Sequence, residues 1–207
     1  MDSPCWRVLC IGNLSINKFW GENERRRAPH STSALVEVAD VRIVVDPSWP
    51  PEQMAEILDR RRGIRPDQID FVFLTHRHGD HLGGLDAFPT ARRIIAAREL
   101  KLWQGEGDDP PSPIAESFLP AEEHLPKEIE LLPTPGHTPG HASLKFEADG
   151  LRVVIAGDAV MTREFFEADE PFHNAVDMNQ AVESIRLIRR AADLVVPGHG
   201  NCFLVGS

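Results

Sequence analysis

Residues 74–84 read Leu-Thr-His-Arg-His-Gly-Asp-His-Leu-Gly-Gly, which places three histidines and one aspartate within six positions. The apolar run at 69–74 leads into this stretch and predicts a buried strand, so the polar cluster follows on the loop at the end of that strand. Packing does not explain so many titratable side chains on one loop, whereas borderline-soft ions such as zinc prefer imidazole and carboxylate ligands. The stretch therefore predicts a metal site in preference to a solvated polar loop.

The spacing within this loop indicates more than one ion. His76 and His78 lie two positions apart, so in an extended loop their side chains can point the same way and share one ion. Asp80 and His81 come one step further along the chain, where a second ion can use them. The loop alone thus offers half of a two-ion site.

Three further candidate ligands stand behind apolar runs elsewhere in the chain. Each has a glycine immediately before it, which lets the backbone turn sharply and approach closely; the three are His137, Asp158 and His199. Any one of them alone is ordinary loop or turn chemistry. The same arrangement recurs three times beside the loop cluster, and we therefore expect strand ends that meet at one rim and gather all seven groups.

The seven groups divide into two sets and a bridge. The first ion is predicted to bind His76, His78 and His137. The second ion is predicted to bind Asp80, His81 and His199. Asp158 could bridge the two. Two ions about 3.5 to 4 Å apart can share a hydroxide and polarise an incoming carbonyl or phosphoryl oxygen.

Length and composition favour one globular domain over residues 1–207, because 42% hydrophobic content is enough to form a core. A net charge of −10 argues against a protein that holds nucleic acid through general charge attraction. Arginine runs occur at 25–27 and 60–62. The second run lies on a predicted helix face, and we interpret both as solvated in preference to anion-binding.

The cysteines and the amino terminus favour a cytoplasmic protein. Cys5, Cys10 and Cys202 are odd in number and form no CxxC pair, so neither a disulfide framework nor a zinc ribbon is indicated. Residues 1–14 lack a charged start followed by a long apolar stretch, and no run approaches the roughly 20 apolar residues that span a bilayer. We expect no membrane partner, and we leave the oligomeric state open between monomer and homodimer.

The order of the predicted elements favours an α/β fold with four layers, α/β/β/α. Strands are predicted at 6–11, 34–38, 41–45, 69–74, 93–96, 129–132, 143–147, 153–156 and 194–196. Helices are predicted from 52 to about 63 and at 82–88, 97–103 and 178–191. The stretch at 104–113 is predicted to be an irregular loop, and the polar segment at 17–33 either a flap beside a site or a plain surface loop. Strands in two clusters, with helices late in each half, indicate two packed sheets with helices outside.

Four motifs carry a resemblance to a known family. They are HxHxDH at 76–81, Gly-His-Thr-Pro-Gly-His at 136–141, Gly-Asp at 157–158 and Gly-His-Gly at 198–200. With these motifs the chain resembles the metallo-β-lactamase superfamily over nearly its whole length. The resemblance implies two zinc ions, although manganese and iron also accept imidazole with carboxylate. Asp46 matches that family's early aspartate and would support the metal loop through hydrogen bonds; simple capping of the strand end is the alternative.

The resemblance favours the small esterase, thioesterase and lactonase branches of the family. Genuine β-lactamases usually carry Arg or Cys in place of His81 and Asp158, and oxygen-reducing diiron relatives carry Glu in place of His78. Nuclease branches mostly have further domains or an arm that this chain does not show. The segments at 134–143 and 157–166 are most similar to the N-acyl homoserine lactonases and their relatives, including the glyoxalase II-like branch.

One position departs from the lactonases. They place a tyrosine three residues after the bridging aspartate, whereas this chain has Met161 there and contains no tyrosine. A methionine is expected to line a pocket and not to act in catalysis. Oxyanion stabilisation would then fall on the metals or on His173, for which a surface or packing role is the favoured alternative. His141 is assigned to supporting or packing work, and His30 and His124 to neither role.

The resulting hypothesis is a dinuclear metal-dependent hydrolase that cleaves an acyl bond of a small-molecule lactone, ester or thioester. A metal-bound hydroxide would attack the carbonyl carbon, the second ion would stabilise the oxyanion, and Asp80 could orient the hydroxide and relay its proton. A phosphodiesterase or nuclease of the same fold is the enzymatic alternative, although nucleic acid is an unlikely partner. A metal-binding protein that keeps the scaffold for partner recognition is weakened because no ligand of the set is missing.

Overall fold

Short β-branched segments form two sheets in the computed structural model, which describes residues 3–106 and 110–206. The first sheet consists, in spatial order, of β1 (Cys5–Cys10), β2 (Ser33–Val38), β3 (Val41–Val45), β4 (Phe71–Leu74), β5 (Arg92–Ile95) and β6 (Phe118–Pro120). The second sheet is formed by β7 (Glu130–Pro133), β8 (Ala142–Ala148), β9 (Leu151–Gly157), β10 (Leu194–Pro197) and β11 (Phe203–Leu204), and its spatial order runs from β11 to β7.

Helices accompany both sheets. They are α1 (Pro51–Arg62), α2 (Ala97–Trp103), α3 (Arg163–Glu167) and α4 (Met178–Ala191). Short 3-10 turns occur at Lys18–Trp20, Pro66–Gln68, Gly79–His81, Leu85–Ala87, Pro113–Ser117 and Ala121–Glu123. No helix within residues 3–106 and 110–206 combines the length and apolar character needed to cross a membrane.

Alternation of side chains along the strands separates three apolar layers. On β3, Val44 faces outward and packs in one buried cluster with Met54 and Leu58 of α1. Its neighbour Val45 faces the other way, into a cluster that also contains Ile155 of β9. Because successive strand residues point to opposite faces, each strand of the first sheet contributes to a helix-facing layer and to a layer between the sheets.

The second sheet repeats this arrangement in mirror order. Ile155 faces the first sheet, whereas Val154 packs with Ile185 and Ile188 of α4. Helices α1 and α2 therefore cover one outside face, and α3 and α4 cover the other. The predicted four-layer α/β/β/α fold is confirmed.

Most predicted elements are present within one to three residues of their expected bounds, and α4 begins and ends where its apolar periodicity predicts. The helix predicted at 82–88 is wrong, because this stretch forms only the 3-10 turn at Leu85–Ala87. Its two glycines explain the difference. A Cβ on Gly83 would lie 2.6 Å from the carbonyl oxygen of Ser48, and Gly84 N–H donates to the carbonyl of Pro47 at 2.7 Å. The backbone here packs against a neighbouring loop in place of forming helical bonds.

Three short elements, β6, α3 and β11, were not predicted. They contain three, five and two residues respectively, and such lengths are too short to show a period in the sequence. The irregular loop predicted at 104–113 has neither helix nor strand at 104–106 and 110–112, while residues 107–109 lie outside the described residues.

One surface ion pair ties the start of β9 to the end of α4, and its effect on stability should depend on pH. Asp193 accepts from Arg152 Nη2 at 2.7 Å and from the Arg152 backbone N–H at 2.9 Å. These hydrogen bonds lower the pKa of Asp193 to about 2. A carboxyl group with a lowered pKa stabilises the fold above its ordinary pKa, and this stabilisation is lost as the pH falls towards about 2.

We therefore expect Asp193→Asn to lower the Tm slightly near neutral pH and to lose this effect in acid. Thermal melts of both proteins between neutral pH and pH 2 measure the difference. A matched Asp59→Asn substitution on the surface of α1 serves as control. A Tm difference that stays constant down to pH 2 would contradict the assignment of the lowered pKa to this pair.

Candidate metal centre

The ends of parallel strands meet at one rim of the two sheets. In the first sheet β3 and β4 are parallel, so Asp46, which follows β3, lies beside the loop that begins at Thr75 after β4. In the second sheet β9 and β10 are parallel, and their ends lead to Asp158 and His199. His137 arrives from the turn between β7 and β8. The structure thus brings the predicted groups to one place, as the common orientation of parallel strands requires.

The first ligand set lies within a few ångströms. His78 Nδ1 is 3.0 Å from His137 Nε2, which is 3.2 Å from Asp158 Oδ2. His76 Nε2 lies 3.8 Å from the same oxygen. These four residues each offer one ligand atom within 4.8 Å of the others, and His76, His137 and Asp158 are buried.

The second ligand set contains Asp80, His81 and His199, and it faces the other oxygen of Asp158. His81 Nε2 lies 3.1 Å from Asp158 Oδ1, and His199 Nε2 lies 3.2 Å from the same oxygen. His199 Nε2 is also 3.6 Å from Asp80 Oδ2. The two oxygens of one carboxylate therefore point to two separate groups of side chains.

Several of these atoms are buried without a hydrogen bond to any described residue. They are His76 Nε2, His81 Nε2 and Asp158 Oδ1. Buried polar atoms are normally satisfied, so a convergent group of unsatisfied acceptors needs an explanation. Imidazole nitrogens and carboxylate oxygens that converge in this way fit divalent ions of the zinc type, and the donor set passes this test.

Lowered pKa values favour ion binding by the histidines of the first ligand set. Burial, followed by the positive charge of His81, holds the pKa of His76 well below its ordinary value. Burial also lowers the pKa of His137 to about 4. Both rings are therefore neutral near pH 7, and a neutral imidazole can offer a nitrogen lone pair to an ion.

His81 and Asp158 show the opposite balance. Burial lowers the pKa of His81, but the carboxylates of Asp158 and Asp46 outweigh burial and raise this pKa well above the ordinary value. Burial acts to raise the pKa of Asp158, yet the charges of His199 and His81 hold it well below its usual range. An ion bound here would therefore displace a proton, as metal binding to histidine generally does.

Asp46 holds the ring of His81 in place. Its Oδ2 lies 2.9 Å from His81 Nδ1 and accepts from Thr75 Oγ1 at 2.8 Å, while its Oδ1 accepts from Thr75 N–H at 2.9 Å. The residue is buried and adopts a positive φ of 47°, which is uncommon for a residue other than glycine. A donor at Nδ1 leaves Nε2 of His81 free to face the site.

His199 is oriented by the backbone. Its Nδ1 lies 2.9 Å from the carbonyl of His30 and 3.1 Å from the carbonyl of Asn13. These carbonyls can only accept, so Nδ1 carries the proton and Nε2 faces Asp158 and Asp80. Gly198 permits this approach, because a Cβ there would lie 2.1 Å from Asp158 Oδ1. The glycine predicted to allow close contact before this ligand does so.

The two ligand sets open into a cavity of about 390 Å³. Asp80, Met161 and His173 line this cavity, as does the segment at 14–16. Met161 is buried beside Leu14 and Phe165, in agreement with the predicted pocket-lining role. His173 packs on Phe172 with ring centroids 4.2 Å apart and also faces the cavity, so its two predicted roles are compatible.

The polar segment at 17–33 packs against the wall of the cavity. Trp20 Nε1 donates to Glu164 at 2.8 Å, and Phe19 meets Phe165 edge to face with centroids 4.9 Å apart. Arg25 in this segment is exposed, as the sequence predicted, but it also lines the metal cavity. No sequence signal distinguishes it from Arg26 and Arg27, which pair with Glu24 and Glu22.

His141 takes the supporting role assigned to it, whereas His30 and His124, assigned to neither role, make packing contacts. His141 is buried, with Nδ1 2.9 Å from Thr134 Oγ1, and supports the loop without facing the cavity. His124 lies near the surface beside Arg92, and His30 stacks on Trp49. A larger cavity of about 870 Å³ between β1 and α1 contains none of the seven groups.

The two sheets bring histidines and aspartates to a shared rim above a small cavity, an arrangement that can hold metal ions. Residues 26–199 match the model of the metallo-β-lactamase superfamily, and the chain belongs to this superfamily.

Relatives within the superfamily include a lactonase. The chain is 31% identical to an N-acyl homoserine lactonase of Bacillus cereus over 153 residues, which cover 69% of this chain and 59% of that protein. The chain thus spans less than two thirds of the length of this relative.

Solved structures agree on the fold. A metallo-β-lactamase-type protein of Thermotoga maritima superposes with a TM-score of 0.71 at 22% identity, covering 98% of this chain and 100% of that one. A variant of the AiiA protein of Bacillus thuringiensis, with N-decanoyl-L-homoserine bound at its active site, superposes with a TM-score of 0.68 at 22% identity over 96% of this chain and 92% of that one.

Proposed function

We propose that this protein hydrolyses an acyl bond of a small molecule, in a lactone, an ester or a thioester, with two zinc ions bound at the rim. The observation that carries the proposal is the position of Asp158, whose Oδ2 lies 3.2 Å from His137 and whose Oδ1 lies 3.1 Å from His81. One carboxylate can therefore serve two ions. The lactonase relative and the acyl homoserine bound to the AiiA variant support an acyl substrate.

The ligand assignment follows the two sets. In this proposal His76, His78 and His137 would hold the first ion. His81, His199 and Asp80 would hold the second ion. Asp158 would serve both ions, and Asp46 would orient His81 from behind. Two such ions, when bound, supply Lewis acidity that polarises a carbonyl and lowers the pKa of water.

Asp80 is the carboxylate placed to move protons. Its side chain is 24% exposed and lines the cavity, whereas the side chain of Asp158 is 4% exposed. We assign to Asp80 the orientation of the attacking water and the acceptance of its proton. The water oxygen bonds to the acyl carbon, the bond from that carbon to the leaving oxygen or sulfur breaks, and the proton passes from Asp80 to the leaving atom.

In this proposal His173 takes part of the role that a tyrosine has in the lactonases that this chain resembles. Met161 cannot donate a hydrogen bond, whereas His173 lines the same cavity and can. We assign to His173 a hydrogen bond to the substrate carbonyl oxygen, with the ring held by its contact with Phe172.

The test measures metal content together with turnover of a lactone, a thioester, a β-lactam and a phosphodiester. We expect two ions per chain and turnover of a lactone or thioester. His76→Ala should lower kcat/KM by at least about 100-fold, the upper range for groups that merely support metal ligands. His124→Ala, a histidine outside the cavity, is the control and should retain full activity. Normal turnover by His76→Ala would overturn the proposal.

A phosphodiester is the second candidate substrate, and Arg25 is the observation that favours it. A guanidinium that lines the metal cavity can pair with a phosphate oxygen, and two ions suit phosphoryl transfer. This reading predicts faster hydrolysis of bis(p-nitrophenyl) phosphate than of lactones. It also predicts that Arg25→Met slows this reaction while Arg26→Met, outside the cavity, does not.

A further inference from the structure

Glu99 is a fully buried carboxylate in the first turn of α2, and the reaction outlined above does not use it. A buried charge is costly unless several donors satisfy it. An acid in the first turn of a helix is ordinary at the surface, but Glu99 is buried, and the other buried residues of α2, Leu100 and Trp103, are apolar. The contacts of Glu99 therefore deserve a functional explanation.

The hydrogen bonds and the ion pair described for the Glu99 side chain join it to the two loops that carry the first ligand set. Oε2 accepts from Thr138 Oγ1 at 3.0 Å and from Gly140 N–H at 3.0 Å. Oε1 accepts from Arg77 N–H at 3.4 Å and lies 3.9 Å from Arg77 Nε. Arg77 stands between His76 and His78, and Thr138 directly follows His137. Each oxygen of this carboxylate is therefore hydrogen-bonded to a different one of the two loops.

Close packing reinforces these hydrogen bonds. A Cβ on Gly140 would lie 2.3 Å from the backbone nitrogen of Glu99, so the turn after His137 rests directly on the start of α2. The two loops then present His78 Nδ1 and His137 Nε2 to each other at 3.0 Å. The spacing of these ligand atoms depends on how the loops are held, because neither ring has a described carboxylate behind it in the way that Asp46 stands behind His81.

We propose that Glu99 is a positioning residue that fixes the His76–His78 loop against the His137 loop, and that it thereby sets the affinity of the first ion. Asp46 has the corresponding place for the second set, because it contacts His81 and Thr75. The two ion sites are then supported by separate buried carboxylates. This inference rests on the proposed two-ion function, but it concerns metal binding and not the substrate.

The experiment measures zinc stoichiometry and affinity by competition with a chelator, using Glu99→Gln in the full chain. Gln keeps one acceptor oxygen but places an NH2 group beside donors, so the hydrogen bonds to one of the two loops are lost. We expect one ion to bind as in the wild type and the other to bind about 10- to 100-fold more weakly. Asp46→Asn should likewise weaken one ion, and the double variant should weaken both.

Glu122→Gln is the matched control. Glu122 accepts from the backbone N–H of Ala97 at 2.9 Å, so it also binds the start of α2, but from the surface and with no hydrogen bond to a ligand loop among those described. If Glu99 merely stabilised α2, both substitutions would lower the Tm and neither would separate the two ions. Thr138→Val removes one of the hydrogen bonds to Glu99 and gives a second variant, with the same but smaller expected effect, if Glu99→Gln does not fold.

The outcomes separate the two proposals. Two ions of unchanged affinity in a folded Glu99→Gln variant, or in Thr138→Val if that variant alone folds, would overturn the role of Glu99 and leave the proposed function intact. Equal weakening of both ions by Glu99→Gln would also overturn it. Failure of the wild type to bind two ions would overturn the proposed function itself.

Discussion

Asp158→Asn is expected to abolish binding of both ions together and to lower kcat/KM by at least about 1,000-fold, which corresponds to about 4 kcal/mol of transition-state stabilisation. The reason lies in the shared carboxylate. Oδ2 faces His137 and Oδ1 faces His81, so the two ligand sets have this group in common. An asparagine loses the negative charge that both ions would share, and its NH2 group places two hydrogens where one of them would bind, so neither set keeps its carboxylate.

The measurement is metal content together with turnover of the preferred acyl substrate. Asp86→Asn provides the control, because Asp86 is a largely exposed aspartate that pairs with Arg93 and does not line the metal cavity. We expect this control to bind two ions and to turn over substrate normally. Retention of one tightly bound ion by Asp158→Asn would show that the sets do not depend on a common carboxylate, and it would contradict the bridging role.

The seven predicted groups converge because local features of the sequence, strand ends and residue type, determine where they lie. Each stands at or soon after the end of an apolar run, and β3, β4, β9 and β10 all end at the same rim. Residue type then adds the chemistry, because imidazole and carboxylate side chains at this density are typical ligands of a divalent ion. Strand periodicity and ligand chemistry are both local signals, so the sequence predicts the rim and its content.

The parts that sequence could not predict depend on contacts between distant segments. Glu99 looks like an ordinary helix residue until α2 is seen to lie beneath the turn at Gly140, 41 residues away in the chain. Arg25 is one of three adjacent arginines, and only the packing of its segment on α3 brings it to the cavity. The false helix at 82–88 has the same origin, since Gly83 and Gly84 pack against the carbonyls of the loop at 47–49.

The two buried carboxylates of Asp46 and Glu99 also explain how the site accommodates buried charge. Asp46 and Asp158 lie on either side of His81, and Glu99 is surrounded by donors from two loops. His76 Nε2 and His81 Nε2 have no hydrogen-bond partner among the described residues. The hydrogen bonds therefore hold the loops, while the remaining lone pairs are left for ions, and the stability of the rim should depend on those ions.

Removal of the ions is accordingly expected to lower the Tm on the order of 20 °C. Free zinc at about 1,000 times its Kd stabilises a folded protein by about 4 kcal/mol per ion, or about 8 kcal/mol for two. In a domain of this size each kcal/mol shifts the Tm by about 2 to 4 °C. The apolar layers contain no metal ligand, because Val45 and Ile155 pack between the sheets and Ile188 of α4 packs with Val154, so the stripped protein should still fold.

Thermal melts of the chelator-treated protein, before and after zinc is restored, measure this shift. Asp158→Asn supplies the control, because a variant that binds neither ion should melt at one temperature whether or not zinc is present. The comparison also separates an effect at the rim from weak binding of zinc to surface histidines such as His124, which the variant retains. Equal Tm values for the stripped and the zinc-loaded wild type would contradict a rim stabilised by ions. Binding of two ions to a cluster of buried, unsatisfied ligands must stabilise the folded protein.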